Sequence, residues 1–472
     1  MLDNILNILK EGKNQIFYQI GKDKITYQEC YKEVKELSEN LRKQGNSPVI
    51  VYGHKNINQM ISILSCVVAK RCYIPIDIYT PISRIEEIIK QSNSKLILKN
   101  ESLNIETIEC LSLNELNQKY QNKIDFFPPN NTYAYIIFTS GSTGLSKGVP
   151  ITYDNLESFI QWITTRKEFE NCNSLNVLSQ ASFSFDLTVM DIYFSIYKNC
   201  SITAISKETK EDLSAIYQTL KNNHINFLIM TPTFIKMLLI DPNFNQENYQ
   251  ELRYMFFCGE CLEVESVKKI KDKFPKISII NAYGPTEATC CVSLIKIEDA
   301  MLDNKLIPVG KISTSAVNIQ VEQNEIILKG NTVFSNYLNQ TSDNCYQENG
   351  INCYKTGDLG EIKEDYLYCL GRSDSQIKYQ GYRIELGDIE NNLLKIEGIK
   401  EAVVICKYKE NTNIVRLIKA FVTTNKDITE QFIKQKLSHF LPNYMIPKKI
   451  IILEKMPLNN NGKYDRKKLK EL

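Results

Sequence analysis

Histidine is scarce in this 472-residue chain, which has only His54, His224 and His439. A lone C-x-x-C, Cys258-Gly259-Glu260-Cys261, has no second pair to complete it, so the ligand spacing of a structural zinc site is missing. The fourteen cysteines do not form the even framework of a short secreted chain and read as thiols of a reducing compartment. A dominant charge sign is also missing. Lysine and arginine total 57 against 55 acidic residues, and a net charge of +2 gives no global field for nucleic acid or a membrane surface. Met1-Leu2-Asp3-Asn4-Ile5 lacks a basic segment leading into an apolar one, so no signal peptide is read. The longest largely apolar run, about Met60 to Ala69, falls far short of the roughly 18 residues of a membrane span. No G-x-x-x-x-G-K-[ST] loop occurs, which argues against a P-loop ATPase or kinase, and there is no internal repeat or low-complexity tract. These absences lead us to expect a cytoplasmic monomer that binds no nucleic acid and does not insert into a membrane. Its length gives room for roughly two to four domains and a large core.

What the chain does contain is concentrated first in Tyr135-Ile136-Ile137-Phe138-Thr139-Ser140-Gly141-Ser142-Thr143-Gly144-Leu145-Ser146-Lys147-Gly148-Val149. An apolar, β-prone run leads into a loop of hydroxyls and glycines that carries one lysine. Glycines let backbone N–H groups turn toward phosphate oxygens, hydroxyls add donors, and Lys147 adds charge. The stretch is expected to wrap an anion rather than to serve as a plain surface turn.

Around it, strand and helix signals alternate. Val49 to Tyr52, Cys72 to Asp77 and Leu96 to Leu98 read as strands, separated by helical periodicity over Ile57 to Ala69 and Ile82 to Gln91. A second run has strand candidates at 201–204, 227–230, 254–257 and 279–282, and from about 308 the texture becomes β. Beyond Gly371 comes a compact α+β tail. The expected fold class is α/β: a large N-terminal domain (1–373) of parallel-rich α/β subdomains plus a β-rich subdomain, with a small mobile α+β C-terminal domain (374–472).

Four further islands sit where strands are expected to end. Phe185-Asp186 closes an apolar run with a carboxylate. Tyr283-Gly284-Pro285-Thr286-Glu287 and Tyr354-Lys355-Thr356-Gly357-Asp358 read as turns ending in an acid, and Asn461-Gly462-Lys463 presents a lysine on a turn. A single turn acid or lysine is usually just solvated. In this order, with Gly371-Arg372-Ser373-Asp374 and Gly381-Tyr382-Arg383-Ile384-Glu385, they resemble the ordered motifs of the acyl-adenylate-forming superfamily, specifically its amino-acid adenylation enzymes. Ser146 stands where that family usually has proline. Val51-Tyr52-Gly53-His54, Phe183 to Leu187, Val189 to Tyr193, Phe257 to Glu260 and Leu441 to Pro447 are most similar to the branch that charges a separate carrier protein with D-alanine for teichoic-acid D-alanylation.

The resemblance implies two half-reactions. A carboxylate attacks the α-phosphorus of ATP to give an aminoacyl adenylate, and a phosphopantetheine thiol of a carrier protein then takes the acyl group. Thr139, Ser140, Gly141, Ser142, Thr143, Gly144 and Lys147 are implied in phosphate binding. Asn281, Ala282, Tyr283, Gly284 and Thr286 are implied around the adenine, with Asp358 and Arg372 at the ribose. Glu287 is the implied Mg²⁺ ligand, Lys463 the catalytic lysine and Asp374 the hinge about which the small domain rotates. Asp186 is implied to pair with the substrate ammonium, in a pocket of Leu187, Met190, Ile229, Phe256, Cys258, Ala282, Cys290 and Cys291. Five of these, Ile229, Phe256, Ala282, Cys290 and Cys291, are not those expected of the D-alanine branch. They leave open an alternative: a free-standing adenylation enzyme of nonribosomal-peptide type that loads alanine, serine, glycine or proline. No carrier, condensation or thioesterase motif follows, so the carrier is expected to be a separate protein.

Overall fold

The apolar runs bounded by glycine and polar turns become strands, and the 3.6-periodic segments become helices, in a computed structural model that describes residues 1–123, 127, 132–141, 144–409, 414–426, 428–458 and 464–472. Ser142, Thr143 and Lys463 lie outside the described residues. The chain divides into two compact units. The first comprises Met1–Ile78, Ser92–Ile137 and Val149–Leu370; the second comprises Tyr79–Gln91, Phe138–Gly148 and Gly371–Leu472.

Two mainly parallel sheets and one antiparallel sheet build the first unit. One sheet runs in the order Glu109–Leu111, Leu96–Lys99, Val49–Tyr52, Tyr73–Ile76, Tyr133–Thr139, Lys147–Thr152. The other runs Ser293–Lys296, Ser278–Tyr283, Tyr254–Phe257, Phe227–Met230, Asn176–Ser179, Ser201–Ala204, Ile16–Ile20, Asp23–Thr26, antiparallel only at its two edges. Val49–Tyr52, Ser201–Ala204 and Phe227–Met230 are buried at every residue, as expected of parallel strands covered on both faces. The covering helices start where capping chemistry says they should. Thr26 and Glu29 form a reciprocal capping box for Tyr27–Gln44, and Asn56 caps Ile57–Val68. Among the described residues no helix is long and apolar enough to cross a membrane.

In the antiparallel sheet the expectation for Tyr354 to Asp358 needs correcting. These residues are not a turn but lie within the long strand Ile351–Lys363. Between the pairs Glu325–Leu359 and Ile327–Lys355 the register shifts, and Gly357 takes φ +72°. The segment is therefore a β-bulge, a device that re-aims a side chain without ending the strand. A second correction concerns Lys147, which begins the strand Lys147–Thr152 rather than lying in the loop.

The second unit packs a hairpin (Gln376–Tyr379 with Tyr382–Glu385), a three-stranded sheet (Ile399–Tyr408, Val415–Thr424, Lys449–Leu453) and the helices Leu386–Leu394 and Glu430–Leu437. Its core includes Ile384, Ile389, Leu393, Val404, Ile418, Val422, Ile433 and Leu437. Arg84 donates to Asp388 Oδ2 from both terminal nitrogens at 3.2 and 3.3 Å, and this ion pair is buried.

Candidate active site

In the first unit, candidate residues gather at the end of the strand Ser278–Tyr283. The chain leaves it through Gly284 and Pro285 into a short helical turn, Thr286–Ala288. Gly284 is sterically required: a Cβ there would sit 2.4 Å from the Cys291 Cα and 2.9 Å from the Cys290 carbonyl oxygen. The approach is that close because Thr289 and Cys290 both take left-handed backbone, φ +60° and +73°. Such conformations are costly for non-glycine residues and concentrate at functional sites. Thr289 Oγ1 anchors this turn by donating to the Thr332 carbonyl at 2.7 Å.

Three carboxylates take their partners from this region. Thr286 Oγ1 donates to Asp186 Oδ2 at 2.6 Å, and Asp186 is only 7% exposed. The Tyr283 hydroxyl donates to Asp358 Oδ2 at 2.7 Å, which is the direction in which the bulge turns Asp358. Burial, and then the adjacent Asp358 carboxylate, push the Tyr283 phenol well above its ordinary range, so it remains a donor. The Tyr337 hydroxyl donates to Glu287 Oε1 at 2.7 Å and lies 3.2 Å from the Tyr354 hydroxyl. Asn281, expected near the nucleotide, donates its amide to the Pro308 carbonyl at 2.9 Å.

The Asp186 carboxylate acts through space on the Cys290 thiol. Leu187, Met190, Ile229, Phe256, Cys258, Ala282, Cys290 and Cys291 are all buried within one hydrophobic core, with Phe185 packed against it. The Cys290 thiol sits at about 11: its hydrogen bond with Cys291 pulls it down, and burial beside Cys258 and Asp186 pushes it up by more. Burial likewise pushes the Cys291 thiol up. Thiols in that state are poor nucleophiles and act as small apolar lining.

Candidates of the second unit form a separate group. Ser140 Oγ donates to the Arg383 carbonyl and accepts from Glu385 N, both at 3.0 Å. Lys147 Nζ lies 3.9 Å from Glu385 Oε1. The Gly144 amide donates to the Gly141 carbonyl at 3.1 Å, and a Cβ on Gly141 would meet the Leu145 carbonyl oxygen at 2.1 Å. Thr139 Oγ1 lies 3.5 Å from the Lys147 carbonyl. Arg372 is held bidentately by Asp374, at 2.8 Å through both nitrogens.

Sequence reasoning missed two features of the first unit. Tyr337 is a partner of Glu287 that no motif announces. Lys55 is a fully buried lysine whose ammonium is bound near the segment leading to Asp186. No motif of the sequence singles it out.

Comparison with known proteins gives the class first. A Vibrio cholerae adenylation domain in complex with glycyl-adenosine-5'-phosphate superposes with a TM-score of 0.84, at 21% identity, over 99% of this chain and 96% of its own. An o-succinylbenzoate CoA synthetase from Bacillus subtilis superposes with a TM-score of 0.83, at 18% identity, over 99% and 98%. The fold is thus that of the acyl-adenylate-forming enzymes. The AMP-binding enzyme model matches residues 9–338, and the model of the AMP-binding enzyme C-terminal domain matches 388–463. Among curated relatives, a D-alanine--D-alanyl carrier protein ligase of Listeria monocytogenes is 36% identical over 93% of both chains. A protein of the same name from Bacillus licheniformis is 36% identical over 100% of this chain and 99% of its own. The chain belongs to the AMP-binding enzyme family, and it is an ATP-using, AMP-forming ligase.

Proposed function

We propose that the protein activates D-alanine as its adenylate and transfers it to the phosphopantetheine thiol of a separate carrier protein, in the cytoplasm, for teichoic-acid D-alanylation. The observation that carries this reading is Asp186: a buried carboxylate held by Thr286, followed directly by the core residue Leu187 and near the Cys290 thiol. A buried carboxylate of this kind suits a small amino acid, whose ammonium it can bind by charge and hydrogen bond. A charged substrate side chain would have no partner there. In such a pocket the large side chains of Met190 and Phe256 would fill depth, and Ala282 with the cysteines would leave modest room at the sides. The names of the relatives support D-alanine in particular.

In the adenylation step, negative charge crowds the α-phosphate, so the protein works by placement and electrostatics. Asp358, bonded by the Tyr283 hydroxyl, is assigned to accept from ribose hydroxyls. Thr139 to Gly144 and Lys147 are assigned to the phosphates, Arg372 to the nucleotide and Lys463 to the carboxylate and phosphate oxygens. Among the described residues no cluster of three metal-binding side chains occurs. One buried carboxylate, Glu287, fits Mg²⁺, which characteristically takes a single protein carboxylate plus phosphate oxygens and water. Bound there, the ion would neutralise phosphate charge, and Tyr337 would hold the Glu287 carboxylate in place for it. Asp374 is assigned as the hinge, presenting Lys463 for the first half-reaction and the 381–385 motif for the second.

The test is amino-acid-dependent ATP–pyrophosphate exchange with both alanine enantiomers beside glycine, serine, proline, lysine, aspartate and tryptophan. D-alanine is expected to lead, with leaky acceptance of near neighbours, because one methylene is worth only about 1–3 kcal/mol in an apolar pocket. A preference for L-proline or L-alanine would move the protein to peptide biosynthesis. A preference for an aromatic or charged amino acid would overturn the pocket reading.

A further inference from the structure

We propose that Lys55 is a positioning residue for amino-acid recognition, whose ammonium fixes the segment that carries Asp186, Leu187 and Met190. The inference rests on the reading of Asp186 as the ammonium partner, but it is carried by a different set of contacts. Lys55 follows the strand Val49–Tyr52 and takes left-handed backbone, φ +55°, which turns its side chain away from the ordinary course. Its own backbone is gripped at both ends: the amide donates to Gln59 Oε1 and the carbonyl accepts from the Tyr18 hydroxyl, both at 2.6 Å.

The side chain, 1% exposed, spends all three ammonium protons on one short stretch. The acceptors are the Ser179 carbonyl (2.7 Å), the Ser179 hydroxyl (2.6 Å) and the Ala181 carbonyl (2.6 Å). The same Ser179 hydroxyl donates its own proton to Asp191 Oδ2, and Asp191 is fully buried in the helical run that follows Asp186. Lys55 therefore holds the chain before Asp186 directly and the chain after it through Ser179. A second clamp acts between these points. Ser182 donates to Asp77, whose Oδ2 also lies 2.8 Å from His54 Nδ1. Within the clamped segment, Val189 N bonds the Asp186 carbonyl at 2.9 Å and Thr188 Oγ1 the Phe185 carbonyl at 2.8 Å. Met190 and Asp191 open a π-helical turn, Met190–Phe194, a wide-turn geometry frequent at functional sites.

A buried pair of this kind is a poor way to gain stability, since well-packed apolar residues often do as well or better. Burial pulls Lys55 down to about 7 and Asp191 up to about 7, against their mutual attraction. What the pair supplies instead is directional: three fixed bonds at the root of the segment that presents the recognition carboxylate.

The experiment uses the full-length enzyme in pyrophosphate exchange, with the amino acid that gives the highest rate. Lys55→Met, Lys55→Arg and the double variant Lys55→Met/Asp191→Leu are compared for KM of the amino acid, KM of ATP and thermal stability. Lys55→Met is expected to raise the amino-acid KM by about tenfold to a hundredfold, the scale of a misplaced recognition group, while the ATP KM stays within about twofold. Lys55→Arg, which keeps the cation, is expected to recover part of that loss. The double variant leaves no unpaired buried charge and is expected to regain melting temperature but not amino-acid affinity. If it regains both, Lys55 is only structural and the proposal is overturned; it is likewise overturned if both KM values rise together. Should the single variant not fold, the double variant decides alone. Asp186→Asn is run alongside. If that change spares the amino-acid KM, the reading of Asp186 fails; if it raises the KM while the Lys55 variants do not, only the positioning role fails.

Discussion

Replacing Asp186 by asparagine removes one charge with almost no change of shape, which makes it the sharpest test of substrate recognition. The Thr286 hydroxyl, now 2.6 Å from Asp186 Oδ2, can donate to the amide oxygen instead, so the local bond survives. The lost component is the charge pair with the substrate ammonium, in a place only 7% exposed and near the Cys290 thiol. Breaking one side of a desolvated, hydrogen-bonded pair costs about 2–5 kcal/mol, or roughly 30- to 5,000-fold in kcat/KM. The upper part of that range is expected, because the new amide N–H group would face the ammonium. The assay is pyrophosphate exchange over a series of D-alanine concentrations, with ATP KM measured in parallel and expected to be unchanged. The variant is expected to fold, because the Thr286 bond can be kept, and a melting curve is recorded beside the kinetics. A loss in kcat/KM smaller than about threefold would refute the reasoning, being less than the lowest cost of breaking such a pair. So would native enzyme that activates propionate, which lacks the amino group, as well as it activates D-alanine.

Three further outcomes are expected. Lys463→Ala should lose adenylate formation by about 10²–10³ while thiolation from preformed adenylate survives, and equal damage to both halves would remove Lys463 from its role. Asp374→Pro removes the bidentate Arg372 contact and locks φ near roughly −65°. It should cripple one half-reaction and spare the other, whereas unchanged rates in both would place the hinge elsewhere. Tyr337→Phe deletes the 2.7 Å donor to Glu287 Oε1, a bond to a buried charged group worth about 1.5–3 kcal/mol. It should lower the melting temperature and raise the magnesium concentration needed for half-maximal exchange, and an unaltered magnesium dependence would argue against Glu287 as the ligand.

The sequence was informative wherever structure depends on neighbours along the chain. The strands Phe227–Met230 and Tyr254–Phe257 and the helix Ile57–Val68 appear within a residue of where their patterns indicate, because an apolar run ended by turn residues has few other ways to fold. The motif residues could be named for the same reason: a glycine such as Gly284 marks a close backbone approach whatever it approaches. Partners distant in sequence were not legible. Thr286, grouped by its motif with the nucleotide, directs its hydroxyl to Asp186, a hundred positions away. Gly357 and Asp358 read as a turn because glycine before an acid usually is one; the pairing of their strand with Glu325–Lys329 makes the same residues a bulge. Lys55 was the least readable of all. A lysine's long chain is solvated by default, and only the folded positions of Ser179, Ala181 and Asp191 supply enough acceptors to hold its charge inside the core. Local pattern therefore determined which residues could do chemistry, and the tertiary fold decided which of them meet, because hydrogen bonds between buried polar groups depend on distances in space that sequence spacing does not set.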